Sequence, residues 1–281
     1  MRKTKALAPE VIPIDLLVVD LMFTILVLQG RKRNRRQVIC DIYRYHGQLP
    51  DSITDKEIWE TISRMRERLR SMKHDEKFWD TVNQWVFEEL ITDGVRKRDA
   101  NVYAKRVHHE ILTNEELYAT QPTMLKLIRR LRRRGVRVVV GSNQVSSYAA
   151  TLIKTKRFRL QNAFDAVYTS EDLDERKPHP EFWRRILEKE ATATGTEIGV
   201  MNVAHLGNSA NSDVGAAELG IRVLLYDRYH ELDGLTQGRL EQLSIPEQDA
   251  TQLIEHMNNK LISVHNGVPG LRSWFMSHLR T

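Results

Sequence analysis

The segment Leu16-Leu17-Val18-Val19-Asp20 constrains this chain more than any other, because four apolar, β-favouring residues end abruptly on a carboxylate. A short apolar run without polar alternation is the pattern of a strand buried on both faces, as in a parallel sheet covered by helices. Parallel α/β sheets build their sites at the carboxyl ends of such strands. A carboxylate there reads as a nucleophile or a metal ligand; taken alone, it reads equally well as a residue that steadies the next turn.

Four further runs of the same kind follow, at 136–140, 166–168, 200–206 and 222–226, with helix-like stretches between them. Met124, Leu127, Ile128 and Leu131 mark one such helix by their spacing. Alternating strands and helices predict an α/β fold with a mostly parallel, Rossmann-like sheet. Between the first and second strands the pattern is helical throughout. Ile58, Ile62, Met65, Leu69 and Met72 form one stripe, and Phe78, Val82, Trp85, Phe87 and Leu90 suggest another. Gly47, Pro50, Asp51 and Asp93-Gly94 punctuate the region. The expectation is an all-helical cap over 30–117, inserted into a core made of 1–29 and 118–281. Its Trp and Met stripes read as cap core rather than as a cofactor box. Beyond the fifth strand, 250–262 and 269–279 read as helices that pack against the core.

A chain of 281 residues can bury such a core and carry an insert. Its single cysteine, Cys40, excludes a disulfide framework and a cysteine-built metal site, and fits a reducing compartment. The 43 basic and 37 acidic residues leave a net charge of +6. That balance favours phosphate-bearing partners or a nucleic acid in principle, fits a small acidic substrate, and allows a protein partner. The contact surface would be the basic runs Arg31-Lys32-Arg33-Asn34-Arg35-Arg36 and Arg129 to Arg134, although a solvated helix face explains such runs as well. The apolar stretch from Leu16 to Leu28 is too short for a membrane span, holds Asp20 in its middle and precedes no small-residue cleavage site. The expectation is a soluble, intracellular protein without membrane contact, cytoplasmic rather than organellar.

Three more strand ends carry polar residues suited to chemistry. After Val138-Val139-Val140-Gly141 come Ser142 and Asn143, a hydroxyl and an amide able to hold a phosphoryl or carboxylate group, or simply turn residues. Lys177 lies just before Pro178-His179-Pro180, a rigid helix start that fixes a cation able to offset charge on a carboxylate and on the group it attacks. The run Gly207-Asn208-Ser209-Ala210-Asn211-Ser212-Asp213 leaves a strand and leads into a helix. Asp213 there either favours the helix dipole or reaches a cation held by Asp20.

In order, spacing and placement these four segments resemble the four motifs of the haloacid dehalogenase (HAD) superfamily. Asp20 and Thr24 are similar to its Asp-x-x-x-Thr start, Ser142 to its Ser/Thr, and Lys177-Pro178 to its lysine. Gly207 to Ala216 is similar to its acidic Gly-Asp loop, and the insert has the position of the family's helical first-type cap. The resemblance implies a nucleophilic Asp20 that forms a covalent ester, later hydrolysed by water. It implies that Ser142 and Lys177 hold the transferred group, with Thr24 steadying the nucleophile and Asn143, Arg31 and Arg33 helping to bind substrate. In phosphoryl-transferring members it implies Mg²⁺ held by Asp20, the backbone carbonyl of Met22, and Asn208 and Asp213 of the loop.

Two positions depart from the phosphatase pattern. Met22 stands where phosphatases carry a general acid–base Asp, whose loss costs on the order of 10²–10⁴ in rate. Asn208 stands where the loop has its first acid, which weakens any Mg²⁺ site. Dehalogenases of the superfamily need neither the second Asp nor a metal, since carbon–halogen cleavage needs no acid on the leaving group. Phe23 replaces the family's usual glycine. The resemblance therefore implies a hydrolase acting through Asp20 on a phosphate ester or a 2-haloacid. The alternative is a catalytically degenerate binding or scaffold protein that needs no cofactor and contacts a partner through its basic surface.

Overall fold

The computed structural model describes residues 13–28, 34–70, 78–90, 97–114, 116–144, 146–227, 255–257, 259 and 261–279. Its main sheet has six strands: β1 (Leu16–Val19), β4 (Arg137–Ser142), β5 (Ala166–Thr169), β6 (Val203–Gly207), β7 (Arg222–Tyr226) and β8 (Ile262–His265). Their order across the sheet is β5-β4-β1-β6-β7-β8, with β1, β6, β7 and β8 paired in parallel. A separate antiparallel pair joins β2 (Leu26–Leu28) to β3 (Tyr118–Thr120). Four helices follow one another between β2 and β3: α1 (Arg35–Gly47), α2 (Asp55–Arg70), α3 (Phe78–Leu90) and α4 (Lys97–Thr113). The remaining helices are α5 (Pro122–Arg133), α6 (Ser146–Lys154), α7 (Ser170–Leu173), α8 (Pro180–Thr194) and, near the end, α9 (Val268–Ser277). The Rossmann-like α/β core with a helical insert is thus as the sequence implies.

The sequence misplaces some edges. The strand expected over 200–206 begins only at Val203, because Val200 to Asn202 form a turn of 3₁₀ helix whose Val200 and Met201 face solvent. The helix expected over 250–262 gives way at Ile262 to β8, an edge strand with one fully paired side. Among the described residues no helix is long and apolar enough to cross a membrane.

By its internal packing the chain divides into two compact units. One comprises Met1–Asp20, Lys126–Val139 and Pro178–Thr281; the other comprises Leu21–Leu125 and Val140–Lys177. In the first, β1, β6 and β7 are almost wholly buried, as a strand covered on both faces must be. Phe182, Trp183 and Ile186 of α8 and Leu271 and Phe275 of α9 are buried with them. Arg137 at the start of β4 pairs with the fully buried Glu190 of α8, so that carboxylate does not lie uncompensated in the core.

In the second unit, α2 starts with a capping box. The Thr54 N–H donates to Glu57 Oε2 at 2.7 Å and the Glu57 N–H donates to Thr54 Oγ1 at 3.3 Å. Its apolar stripe of Ile58, Ile62 and Met65 is buried. Gly47 ends α1 where a Cβ would come within 2.5 Å of Phe87, so only glycine lets these helices approach. A buried polar chain crosses the unit. Tyr43 Oη donates to Asn83 Oδ1, Asn83 Nδ2 lies 2.8 Å from His108 Nδ1, and the His108 ring stacks on Tyr148 at 3.6 Å.

Candidate functional site

Asp20 follows β1 directly. Its N–H donates to the Leu206 carbonyl at 2.8 Å, carrying the β1–β6 ladder one residue further, and its side chain is largely buried. This puts the carboxylate beside the point where β6 ends and the 207–213 loop begins. The strand-end placement needs nothing beyond parallel pairing, and the sequence already implies it.

The loop is organised around Asp213. One carboxylate oxygen accepts the N–H groups of Asn208 (3.0 Å) and Ser209 (2.9 Å), and the other lies 2.9 Å from His205 Nε2. Both Asp213 and His205 are fully buried. An ionised carboxylate can only accept, so this His205 nitrogen is the one that carries hydrogen. The His205 ring also packs edge-on to Trp183 at 5.3 Å. Gly207 is required by space, since a Cβ there would overlap the Asp213 carboxylate. Asp213 is the N-cap residue of the 3₁₀ turn Val214–Leu219 and makes no side-chain capping hydrogen bond to it. Gly215 fits for a second steric reason: a Cβ there would overlap the Pro178 carbonyl oxygen and stand 3.0 Å from the Trp183 ring.

The other unit holds the remaining candidates. Leu21 to Leu26 make a tight turn in which the N–H groups of Ile25 and Leu26 both donate to the Leu21 carbonyl, at 3.2 and 3.0 Å. Phe23 sits in it at φ 61°, and its own N–H donates to the Leu26 carbonyl at 2.6 Å. Left-handed backbone suits glycine and strains a bulky residue such as phenylalanine. Phe23 is also 39% exposed, an uncovered ring three residues after Asp20. Thr24 in the same turn is fully buried.

Ser142 closes β4 and is buried. Asn143 binds the Lys177 backbone at both ends of its amide: Nδ2 donates to the Lys177 carbonyl and Oδ1 accepts the Lys177 N–H, each at 2.9 Å. That two-way clamp fixes the segment bearing Lys177, whose side chain is 3% exposed. Ser142 and the clamped Lys177 are therefore brought into one unit, together with Met22 and Thr24, while Asp20, Asn208 and Asp213 belong to the other. Arg31 and Arg33 lie outside the described residues.

Three participants are not read from the sequence. One is His205, whose signal is a lone polar side chain within the apolar run 203–206. The second is the clamping action of Asn143. The third is Gln144, buried beside the clamp, with its side-chain oxygen lacking a hydrogen-bond partner among the described residues.

The donors suit Mg²⁺ poorly. Of the side chains implied to hold it, Asn208 brings an amide in place of a carboxylate, and both oxygens of Asp213 are engaged by His205 and two loop amides. Among the described residues, no group of three or more His, Cys, Asp or Glu side chains is arranged to hold a metal. In one unit a carboxylate thus ends a buried strand next to a rigid loop. In the other, a buried hydroxyl ends β4 and a buried lysine lies on a segment clamped by Asn143.

A family model described as haloacid dehalogenase-like hydrolase matches residues 22–220. No curated protein matches the chain. Among solved structures, the L-2-haloacid dehalogenase of Xanthobacter autotrophicus with chloropropionic acid covalently bound is similar at a TM-score of 0.55 and 15% identity, over 94% of this chain and 98% of that one. The HAD-hydrolase YfnB of Bacillus subtilis bound to magnesium gives 0.56 and 16%, over 77% and 90%. The 2-haloacid dehalogenase of Pseudomonas syringae pv. Tomato gives 0.55 and 18%, over 85% and 99%. At these identities the likeness is one of fold.

Proposed function

Since the chain belongs to the haloacid dehalogenase-like hydrolase family, we propose that it hydrolyses a small 2-haloacid through an ester on Asp20, by displacement at carbon and without a metal. The Asp20 carboxylate attacks the carbon bearing the halogen, the carbon–halogen bond breaks, and the halide leaves with the bonding pair. Water then attacks the ester carbonyl, freeing the 2-hydroxy acid and restoring Asp20. Ser142 donates a hydrogen bond to the substrate carboxylate. Lys177, rigidly held through Asn143, offsets the negative charge that nucleophile and substrate bring together.

The observation that carries this reading is the engagement of Asp213 by His205 and two loop amides, in a chain that also has Met22 and Asn208. A phosphomonoesterase needs an acid–base group and a metal at these positions. Displacement of a halide needs neither. The fold likeness to a dehalogenase with chloropropionic acid covalently bound agrees with this reading.

The test is turnover of 2-chloropropionate and of a phosphate-ester panel, each with Mg²⁺ and with a chelator, alongside Asp20→Asn. The reading expects halide release that survives the chelator and disappears in Asp20→Asn. Metal-dependent phosphate release would replace it with phosphatase chemistry. The exposed Phe23 ring, in the turn that follows Asp20 in sequence, favours one other reading, a fold kept for binding alone. Turnover no higher than the variant's background on both substrate classes would select that reading.

A further inference from the structure

A patch of arginines and exposed methionines lies at the amino ends of the strands, opposite the end that bears Asp20. Arg133 and Arg134 close α5 just before β4, Val200 and Met201 form the turn into β6, Arg222 opens β7, and α9 lies alongside β7 and β8. Direct contacts join these pieces into one surface. Arg134 Nη1 approaches Met276 Sδ at 3.6 Å. Arg222 lies over the Trp274 ring at 5.9 Å and donates to the Met201 carbonyl. Met201 is 45% exposed, Met276 37% and Val200 36%, three of the six large apolar side chains exposed among the described residues. No carboxylate among the described residues forms an ion pair with Arg133 or Arg134.

A merely solvated helix face accounts for the arginines but leaves the methionines unexplained. Methionine and arginine together are characteristic of protein interfaces, where a flexible thioether fills apolar gaps and a guanidinium binds carboxylates. A single-stranded nucleic acid would ask for an open aromatic platform. The aromatic ring here, Trp274, already stacks on His278 at 4.0 Å and 12° and carries the Arg222 guanidinium.

We infer that Arg133, Arg134, Met201 and Met276 form a docking surface for an acidic amphipathic segment of a partner protein. Carboxylates of that segment meet the two arginines, and its apolar side chains cover the two methionines. The surface is separate from Asp20, so it stands whether or not the chain catalyses.

The experiment is fluorescence anisotropy of the full chain with a labelled helix-forming peptide of Glu, Ala and Leu, its Leu residues at helical spacing. The comparison ligands are the same peptide with Ala for Leu and a single-stranded oligodeoxynucleotide. The expected result is saturable binding of the Leu-bearing peptide, weakened about tenfold or more by Arg134→Glu and again by Met276→Asp. The Leu-free peptide should bind more weakly. Both side chains are at the surface, so melting should stay at the parental temperature; Arg134→Lys should retain most of the affinity and checks for misfolding. Absence of saturable binding, or binding indifferent to both substitutions, overturns the inference. So does tighter binding of the oligonucleotide lost in Arg134→Glu, which marks a nucleic-acid surface. Reversible dimerisation abolished by Met276→Asp also overturns it, by making the patch a contact between copies of the chain.

Discussion

His108 should make the helical part of this protein sensitive to acid. Tyr43 Oη donates to Asn83 Oδ1, which leaves Asn83 Nδ2 as the donor to His108 Nδ1. That ring nitrogen must then accept, so the imidazole is neutral in the folded state. Burial, with a smaller contribution from neighbouring His109, lowers the pKa from 6.5 to about 3. Because the folded value is depressed, His108 opposes protonation only in the folded state. Its stabilising contribution is complete above about pH 6.5 and is lost as pH falls from there toward 3. Each pH unit in that window costs about 1.4 kcal/mol, so acidifying to about pH 5 removes roughly 2 kcal/mol. His108→Phe keeps a ring against Tyr148 and deletes the titrating group. At neutral pH it should cost about 1–3 kcal/mol, since Asn83 loses its acceptor in a buried place. Urea unfolding followed by tryptophan fluorescence, at matched ionic strength across pH 5 to 7, reads both proteins. The stability gap between parent and variant should narrow by roughly 2 kcal/mol on acidification. A gap that stays constant with pH would refute the reasoning, because His108 would then titrate alike in folded and unfolded chains.

Other perturbations probe the site directly. Gly215→Ala forces a methyl group onto the Pro178 carbonyl and should destabilise by about 2–3 kcal/mol in thermal or urea melts while lowering any Asp20-dependent turnover. Phe23→Gly relieves about 1–2 kcal/mol of left-handed strain and gives back about 0.5–1 kcal/mol in chain entropy. It should therefore leave stability within about 1 kcal/mol of the parent in urea melts. Met22→Asp combined with Asn208→Asp restores the two acids of the phosphatase pattern, and phosphate release in Mg²⁺ should rise on the order of 10²-fold or more. No rise would mean that other features keep phosphoryl chemistry out.

Most of the scaffold is legible in the sequence because strands buried on both faces leave little ambiguity. The run Arg222–Tyr226 is a strand at the residues expected, and Asp20 stands at a strand end as the apolar run before it requires. Edge elements are harder to read. Ile262-Ser263-Val264-His265 mixes polar with apolar residues, and its strand character comes from pairing with β7. The three-residue strands β2 and β3 are too short to leave a periodic signal. At the site, residue types are legible but their partners are not. Asn143 next to Ser142 reads as a ligand-binding amide, whereas its geometry clamps Lys177 across 34 positions of sequence. Asp213 reads as a helix-dipole or metal carboxylate, and nothing in its residue type announces the two loop amides and His205 that bind it. Hydrogen bonds closed by tertiary folding of this kind have no periodicity to betray them.

The central claim, an Asp20 ester formed at carbon, is tested most directly by a single turnover of 2-chloropropionate in heavy-oxygen water. The protein is then digested and the peptide bearing Asp20 weighed by mass spectrometry. Hydrolysis of an alkyl ester at its carbonyl leaves solvent oxygen in the aspartate, so the account predicts one heavy oxygen in Asp20 and none in the product hydroxyl after the first turnover. Heavy oxygen in the product hydroxyl with Asp20 unlabelled would mean direct attack by water and would contradict the account.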